Sequence, residues 1–175
     1  KWKGSKSTGS YHDGFILLDK SFIKIDKNEI KNGEIIIDMN SITCTDIDDP
    51  QSNEYLIKHL KNYDFFSVSK FPIASLKIHS AQPVEGNINK STENQFMNGL
   101  YLFICDLTIK DSTHTIDFVA DVTINQSAAV AIGKIEIDRS KFGIKYKSKS
   151  WYPDLGDRFI NDIFELYFNL VAFPG

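Results

Sequence analysis

Cysteine, methionine and tryptophan are scarce, with two of each in 175 residues. Two cysteines, Cys44 and Cys105, do not make a disulfide framework, and each reads as a buried thiol packing like a small hydrophobe. Whether they pair depends on a Cα separation that sequence does not give. No apolar run of about eighteen residues occurs, so no membrane-spanning helix is expected. Nor does a basic and then apolar leader open the chain, which starts Lys1-Trp2-Lys3-Gly4. This reads as a trimmed, mature form whose export signal has already been removed. Basic residues do not dominate: 20 Lys and Arg stand against 23 Asp and Glu, a formal charge of −3. That balance gives no global attraction for nucleic acid.

Catalytic and metal-binding patterns are missing too. There is no Gly-x-Ser-x-Gly and no glycine-rich phosphate loop. None of His12, His59, His79 and His114 stands three to five residues from another His or a Cys, the spacing of compact zinc sites. Asp46-x-Asp48-Asp49 lacks the central Gly and distant Glu of a calcium loop, and reads as a solvated turn before a helix N-terminus. Asp157, Asp162 and Glu165 could form an acid/base pair only if space brought them together, and Glu165 alternates with Leu166 and Phe168 and should face water. Neither enzyme chemistry nor a cofactor or metal is expected.

What is abundant is phenylalanine, with 13 residues, and apolar residues at every second position. Ile35, Ile37 and Met39 share one face of 34–40. Ile116, Phe118, Ala120, Val122 and Ile124 do so over 115–124, as do Ile135 and Ile137 over 134–138, and Leu166, Phe168 and Leu170 over 165–170. Such alternation predicts antiparallel strands with one packed and one wet face. Further strands are expected at 14–18, 22–26, 74–79, 100–109 and 142–147. Turns are expected at Asn32-Gly33, Lys110-Asp111-Ser112 and Asp154–Asp157, and an exposed loop from Gln82 to Gln95. Asp49-Pro50 starts a helix running to Lys61, with Leu56 and Leu60 facing the sheet. Closing these strands into one antiparallel barrel of about eight buries all the apolar faces and removes exposed edges. The alternation fits a hollow barrel and a side-chain-filled one equally.

Lys141, Lys145, Lys147 and Lys149 alternate with Phe142, Ile144 and Tyr146. On a strand this is a solvated lysine face that discourages edge pairing, the reading favoured here. The other reading is contact with an anionic headgroup or membrane surface.

Motifs along the chain resemble a known family. Gly33-Glu34-Ile35-Ile36-Ile37-Asp38-Met39-Asn40-Ser41-Ile42, followed by Thr45-Asp46, is similar to a run in YceI-like proteins. So are His59-Leu60-Lys61…Asp64-Phe65-Phe66…Phe71-Pro72, Leu107-Thr108-Ile109-Lys110, and Ile137-Asp138-Arg139-Ser140-Lys141-Phe142-Gly143-Ile144. Leu155-Gly156-Asp157…Ile160-x-Asp162-x-Phe164-Glu165-Leu166 and Gly9-x-x-His12-x-Gly14 complete the series. The sequence departs from the pattern at Asp111, where a Gly is usual, and at Thr115, where a Pro is usual. A Gly at 111 would suit a positive φ, so Asp111→Gly is expected to be neutral or stabilising.

The resemblance implies a single lipocalin-like up-and-down barrel over residues 1–175 that holds a polyisoprenoid or similar long-chain lipid in a tunnel. It also implies export to the bacterial periplasm, with a cytoplasmic place and a homodimer left open. The tunnel lining expected from strand parity is Ile35, Ile37, Met39, Leu76, Ile78, Phe103, Leu107, Ile116, Phe118, Val122, Ile135, Ile137, Leu166, Phe168 and Leu170. His12 and Tyr146 are the expected headgroup contacts.

Overall fold

The computed structural model describes residues 1–27, 29–91 and 96–174. The strands are β1 (Trp2–Ser5), β2 (Tyr11–Gly14), β3 (Leu17–Leu18), β4 (Phe22–Asp26), β5 (Glu29–Asp38), β6 (Ile73–Ser91), β7 (Phe96–Ile109), β8 (Ser112–Ile124), β9 (Ala129–Asp138) and β10 (Ile163–Ala172). They form one curled antiparallel sheet in the order β2-β1-β10-β9-β8-β7-β6-β5-β3, with β4 also on β5. The fold is the expected lipocalin-like antiparallel β-structure.

One stretch, residues 11–19, ties the two ends of that order together. Its first part pairs with β1, Gly4 opposite His12. Its second part pairs with β5, Leu17 opposite Asp38, and Thr43 and Thr45 then donate to the carbonyls of Phe15 and Asp13 at 3.0 and 2.9 Å. The curl is therefore joined at one end by a segment shared between both edges.

Two strands end by the same device. β5 closes on Ile37-Asp38 and β9 on Ile137-Asp138. Each Asp sits in extended conformation, and its carboxylate accepts the N–H two residues on, Asn40 and Ser140 at 2.9 Å. An Asp that satisfies a helical N–H in this way caps a short turn, so the chain winds into 3₁₀ helices at Met39–Ser41 and Arg139–Phe142. Met39 thus begins a helical turn rather than extending the strand.

Helix α1 runs from Pro50 to Lys61 as expected, with the Asp49 carboxylate accepting from Ser52 N–H and Pro at its start. It follows β5 and lies at the end of the curl where β5 ends and β6 begins.

Other expectations are corrected. Gln82–Ser91 is strand, not loop: β6 and β7 continue as a hairpin, Ser91 opposite Phe96, while 92–95 lie outside the described residues. The polar composition suited a loop, but a ribbon can pair its own backbone without burying either face. Its register shifts after Pro83, which has no N–H to give. Asn32-Gly33 lies inside β5; the β4–β5 hairpin instead reaches positive φ at Lys27, 50°.

The expected strand over Phe142–Lys147 is irregular. Gly143 is left-handed at φ 68°, which a strand cannot continue through. Phe142 nevertheless stays buried. It fills the place where β8 and β9 part, since those strands pair only between Ala120–Ile124 and Ala129–Gly133. His114 of β8 stands edge-on to the Phe142 ring at 5.0 Å, and its Nε2–H donates to the Lys141 carbonyl at 3.0 Å.

In the Ile109–Ser112 turn, positive φ falls on Lys110, at 58°, and not on Asp111. The basis for the Asp111 expectation is therefore overturned. A left-handed non-glycine residue costs of order 1 kcal/mol. Lys110→Gly is expected to raise stability by roughly 0.5–1 kcal/mol in urea unfolding, and Asp111→Gly to leave it unchanged. Equal melts for Lys110→Gly and the parent would show that the Lys110 side chain, 3.5 Å from the Gly143 carbonyl, offsets the strain.

Candidate functional site: an apolar cavity under the helix

A cavity of about 160 Å³ lies inside the curl at the α1 end. Its walls come from strand ends and from the segments that close over them. The two capped strand ends contribute in parallel. Ile37 at the end of β5 is followed by Met39 and Ile42, and Ile137 at the end of β9 by Arg139 and Ile144. After each capping Asp the turn redirects the chain inward, so Met39 and Arg139 occupy equivalent places. Ala74, Leu107 and Leu166 line it from strands, and Leu56, Leu60, Phe65 and Phe66 cover it from α1 and the turn beyond.

Apart from Arg139, the polar residues of the lining cluster at one place. They are Ser5, Lys6, Ser10, Tyr11 and His12, from β1, β2 and their connection, with Asn161 alongside. Tyr11, Ser10 and Lys6 are exposed, so this cluster is the rim. His12 is held there by a 2.9 Å contact from Nδ1 to Asp46. Burial raises the Asp46 carboxyl, but hydrogen bonds from the Asp13 N–H, His12 and the Cys44 thiol outweigh it and keep it below the usual carboxylate range.

Arg139 is the charged group in the wall, 4% exposed. Its Nε donates to Asn161 O, its Nη1 to Ile144 O and Tyr146 O, and its Nη2 to Ile160 O, all within 2.9–3.1 Å. Asp162 lies 3.4 Å from Nη2. Burial pulls the guanidinium below its ordinary value, while Asp162 and Asp138 oppose the shift. With its donors engaged by the protein, Arg139 staples the 144–146 and 160–162 segments together rather than presenting a free charge to the cavity.

The expected lining divides in two. Ile37, Met39, Leu107, Ile137, Leu166 and the rim residue His12 line the cavity. Ile35, Leu76, Ile78, Phe103, Ile116, Phe118, Val122, Ile135, Phe168 and Leu170 do not line it. Their inward parity holds: all except Leu170 belong to the packed hydrophobic core or pack against it, and Leu170 is half-buried. Phe103 stacks on Phe118 at 5.2 Å, and Phe118 meets Phe168 edge-on at 5.8 Å, so aromatic rings occupy the barrel interior there. Phe168 has room because Gly133 faces it: a Cβ at 133 would fall 2.7 Å from the ring. Tyr146 is not at the rim. It packs on His59 and Phe65 at 4.6 and 5.5 Å, where it helps fasten the 139–152 segment to α1.

Sequence reasoning missed Arg139, Asn161, Ile144 and the Phe65-Phe66 cover. None lies on a predicted strand except Ile144, and that strand is absent. The legible signal was the repeated Ile-Asp followed by a short polar turn.

Of the carboxylates considered for acid/base chemistry, Asp157 is exposed and the other two are engaged elsewhere. Asp162 accepts from Ser150 and faces Arg139, and Glu165 pairs with Lys134 at 3.1 Å. Among the described residues no cluster of three His, Cys, Asp or Glu could hold a metal. Cys44 and Cys105 are free and buried, and burial pushes the Cys105 thiol up to about 12. No helix among the described residues is long and apolar enough to cross a membrane.

The sequence matches the YceI-like domain over residues 5–172, and the chain belongs to that family. Burkholderia cenocepacia BcnA is similar in structure, with a TM-score of 0.66 at 19% identity, covering 98% of this chain and 95% of that one. A polyisoprenoid binding domain from Saccharophagus degradans, implicated in plant cell wall breakdown, gives a TM-score of 0.64 at 15% identity, covering 99% of this chain and 92% of that one. The Campylobacter jejuni YCEI protein gives 0.61 at 18% identity, covering 93% and 85%. No curated protein matches the chain.

Proposed function

We propose that this member of the YceI-like family binds a long-chain apolar or amphiphilic molecule, a polyisoprenoid or similar lipid, and that it acts by binding rather than catalysis. The observation that carries this reading is the cavity: apolar walls inside the curl, a helical cover, and a polar rim at one place. A hydrocarbon entering it gains about 0.8 kcal/mol for each methylene taken out of water, so affinity needs no charged anchor. The ligand's polar end would lie at the rim, among Ser10, Tyr11 and His12. The kinship with a polyisoprenoid binding domain supports the same class of ligand. We further propose that residues 1–175 work as one unit in an exported compartment, as the family resemblance implies.

The filled Phe103–Phe118–Phe168 region favours a second reading, a barrel packed by its own side chains with no small ligand. Ala74→Phe separates the two. Ala74 is buried and borders the cavity, so a ring there would occupy the space a ligand needs. The parent is expected to retain co-purified lipid in native mass spectrometry and to bind a fluorescent long-chain probe. Ala74→Phe should bind at least ~10-fold more weakly, with a stability change of about 1 kcal/mol. A folded Ala74→Phe that binds the probe like the parent would place binding elsewhere. A parent that binds neither lipid nor probe would favour the filled barrel.

A further inference from the structure

Residues 139–152 read Arg-Ser-Lys-Phe-Gly-Ile-Lys-Tyr-Lys-Ser-Lys-Ser-Trp-Tyr and contain no acidic residue, in a chain whose formal charge is −3. Arg139 is buried and occupied, but Lys141, Lys145, Lys147 and Lys149 are all exposed, and none forms an ion pair with the described residues. The edge-protecting explanation for these lysines required a strand, and the segment is irregular. What the lysines do contact is aromatic. Lys145 lies over the Trp151 ring at 3.7 Å, Lys147 over Tyr146 at 5.3 Å and Lys149 over Phe159 at 5.3 Å. Trp151 and Tyr152 are 47% and 51% exposed at the end of the segment. Across from it, Tyr146 packs on His59 of α1, and the exposed Tyr55 stands edge-on to His59 at 6.2 Å.

This face adjoins the cavity rim. Lys6 and Ser148 both bridge to Ile160, from opposite sides, and Ile160 N–H donates to the Lys147 carbonyl at 2.8 Å. Asn161 N–H donates to Ser5 O at 2.9 Å. Ser5, Lys6, Ile160 and Asn161 all line the cavity, so the basic segment runs one chain away from its mouth.

We propose that this face docks on the surface of an anionic phospholipid membrane and sets the cavity mouth against it. Cationic ammonium groups suit lipid phosphates and carboxylates, and exposed Trp and Tyr suit the interfacial zone, where one end of the ring is wet and the other apolar. The net negative charge elsewhere opposes wrapping by an extended polyanion such as nucleic acid but does not hinder contact through one end of the molecule. The docking stands by itself; its role in passing a lipid between bilayer and cavity rests on the ligand reading above.

Co-sedimentation with vesicles tests it, using phosphatidylcholine alone and phosphatidylcholine mixed with phosphatidylserine. The parent is expected to bind the mixed vesicles, to release as salt is raised, and to bind the neutral ones weakly. Each of Lys145→Gln, Lys147→Gln and Lys149→Gln should weaken partitioning roughly 5-fold, and the triple variant roughly 100-fold. Lys24→Gln with Lys27→Gln, at the far end of the sheet, should bind like the parent. The triple variant should keep its affinity for a soluble long-chain probe, and Ala74→Phe should keep its affinity for vesicles. Loss of probe binding by the parent with vesicle binding intact would overturn only the ligand reading. The docking proposal falls if the triple variant sediments like the parent, if neutral vesicles bind equally well, or if duplex DNA displaces the protein from vesicles at equal charge.

Discussion

Replacing Arg139 with alanine is expected to destabilise the protein by about 4 kcal/mol. The guanidinium donates to four carbonyls, those of Ile144, Tyr146, Ile160 and Asn161, and stands 3.4 Å from Asp162. Alanine would leave these acceptors without their donor, the Ile144 bond buried and the other three partly so, and unpaired buried acceptors cost more than the intact hydrogen bonds contribute. Asp162 would keep Ser150 but lose its cation. For a chain of this size about 4 kcal/mol corresponds to a drop in Tm on the order of 10 °C. Lysine should recover only part of the loss, because one ammonium cannot reproduce the planar fork that reaches two segments at once. The check is urea unfolding of Arg139→Ala, Arg139→Lys and the parent. A midpoint for Arg139→Ala equal to the parent's would mean that water replaces the staple, and that the 144–146 and 160–162 segments hold together without it.

Gly14→Ala is expected to be comparably damaging, on the order of 3 kcal/mol or more, for a different reason. A Cβ at this position would fall 1.8 Å from the Thr43 carbonyl oxygen and 2.7 Å from its carbon. Trp2 Nε1 would lie 2.9 Å away, and that indole N–H donates to the same Thr43 oxygen. Because the obstruction is backbone, no rotamer change relieves it. The chain must move apart where residues 11–19 join the two edges of the curl, at the cost of the bonds from Thr43 to Phe15 and from Thr45 to Asp13. Gly4→Ala gives the scale for a harmless addition, since nothing lies within 4 Å of a Cβ there. If thermal melts of Gly14→Ala and Gly4→Ala coincide, the seam is not held by this close approach.

Much of this architecture was written in local pattern. Period-two alternation assigns each side chain to a face whatever its strand pairs with, so Ile35, Val122 and Ile135 could be read as inward before any topology was known. The Asp49-Pro50 start of α1 was equally legible, because capping depends on a few neighbouring residues. The same logic misled at Phe142–Lys147. There alternate residues are buried without a strand, since Gly143 turns the chain and Arg139 fixes its carbonyls. It misled again at Gln82–Ser91, where backbone pairing across a hairpin outweighed loop-like composition.

Where the interior is filled and where it is hollow was a tertiary decision. Phe118 and Leu107 share inward parity on adjacent strands, yet Phe118 is stacked among rings and Leu107 borders empty space. A cavity is the small difference between the volume a closed backbone encloses and the volume its side chains occupy. That difference depends on register, on closure through residues 11–19 and on the cover laid down by α1, none of which a periodicity contains. The sequence by itself determined which side chains point inward; only the closed fold decided that those at the helical end would leave room between them.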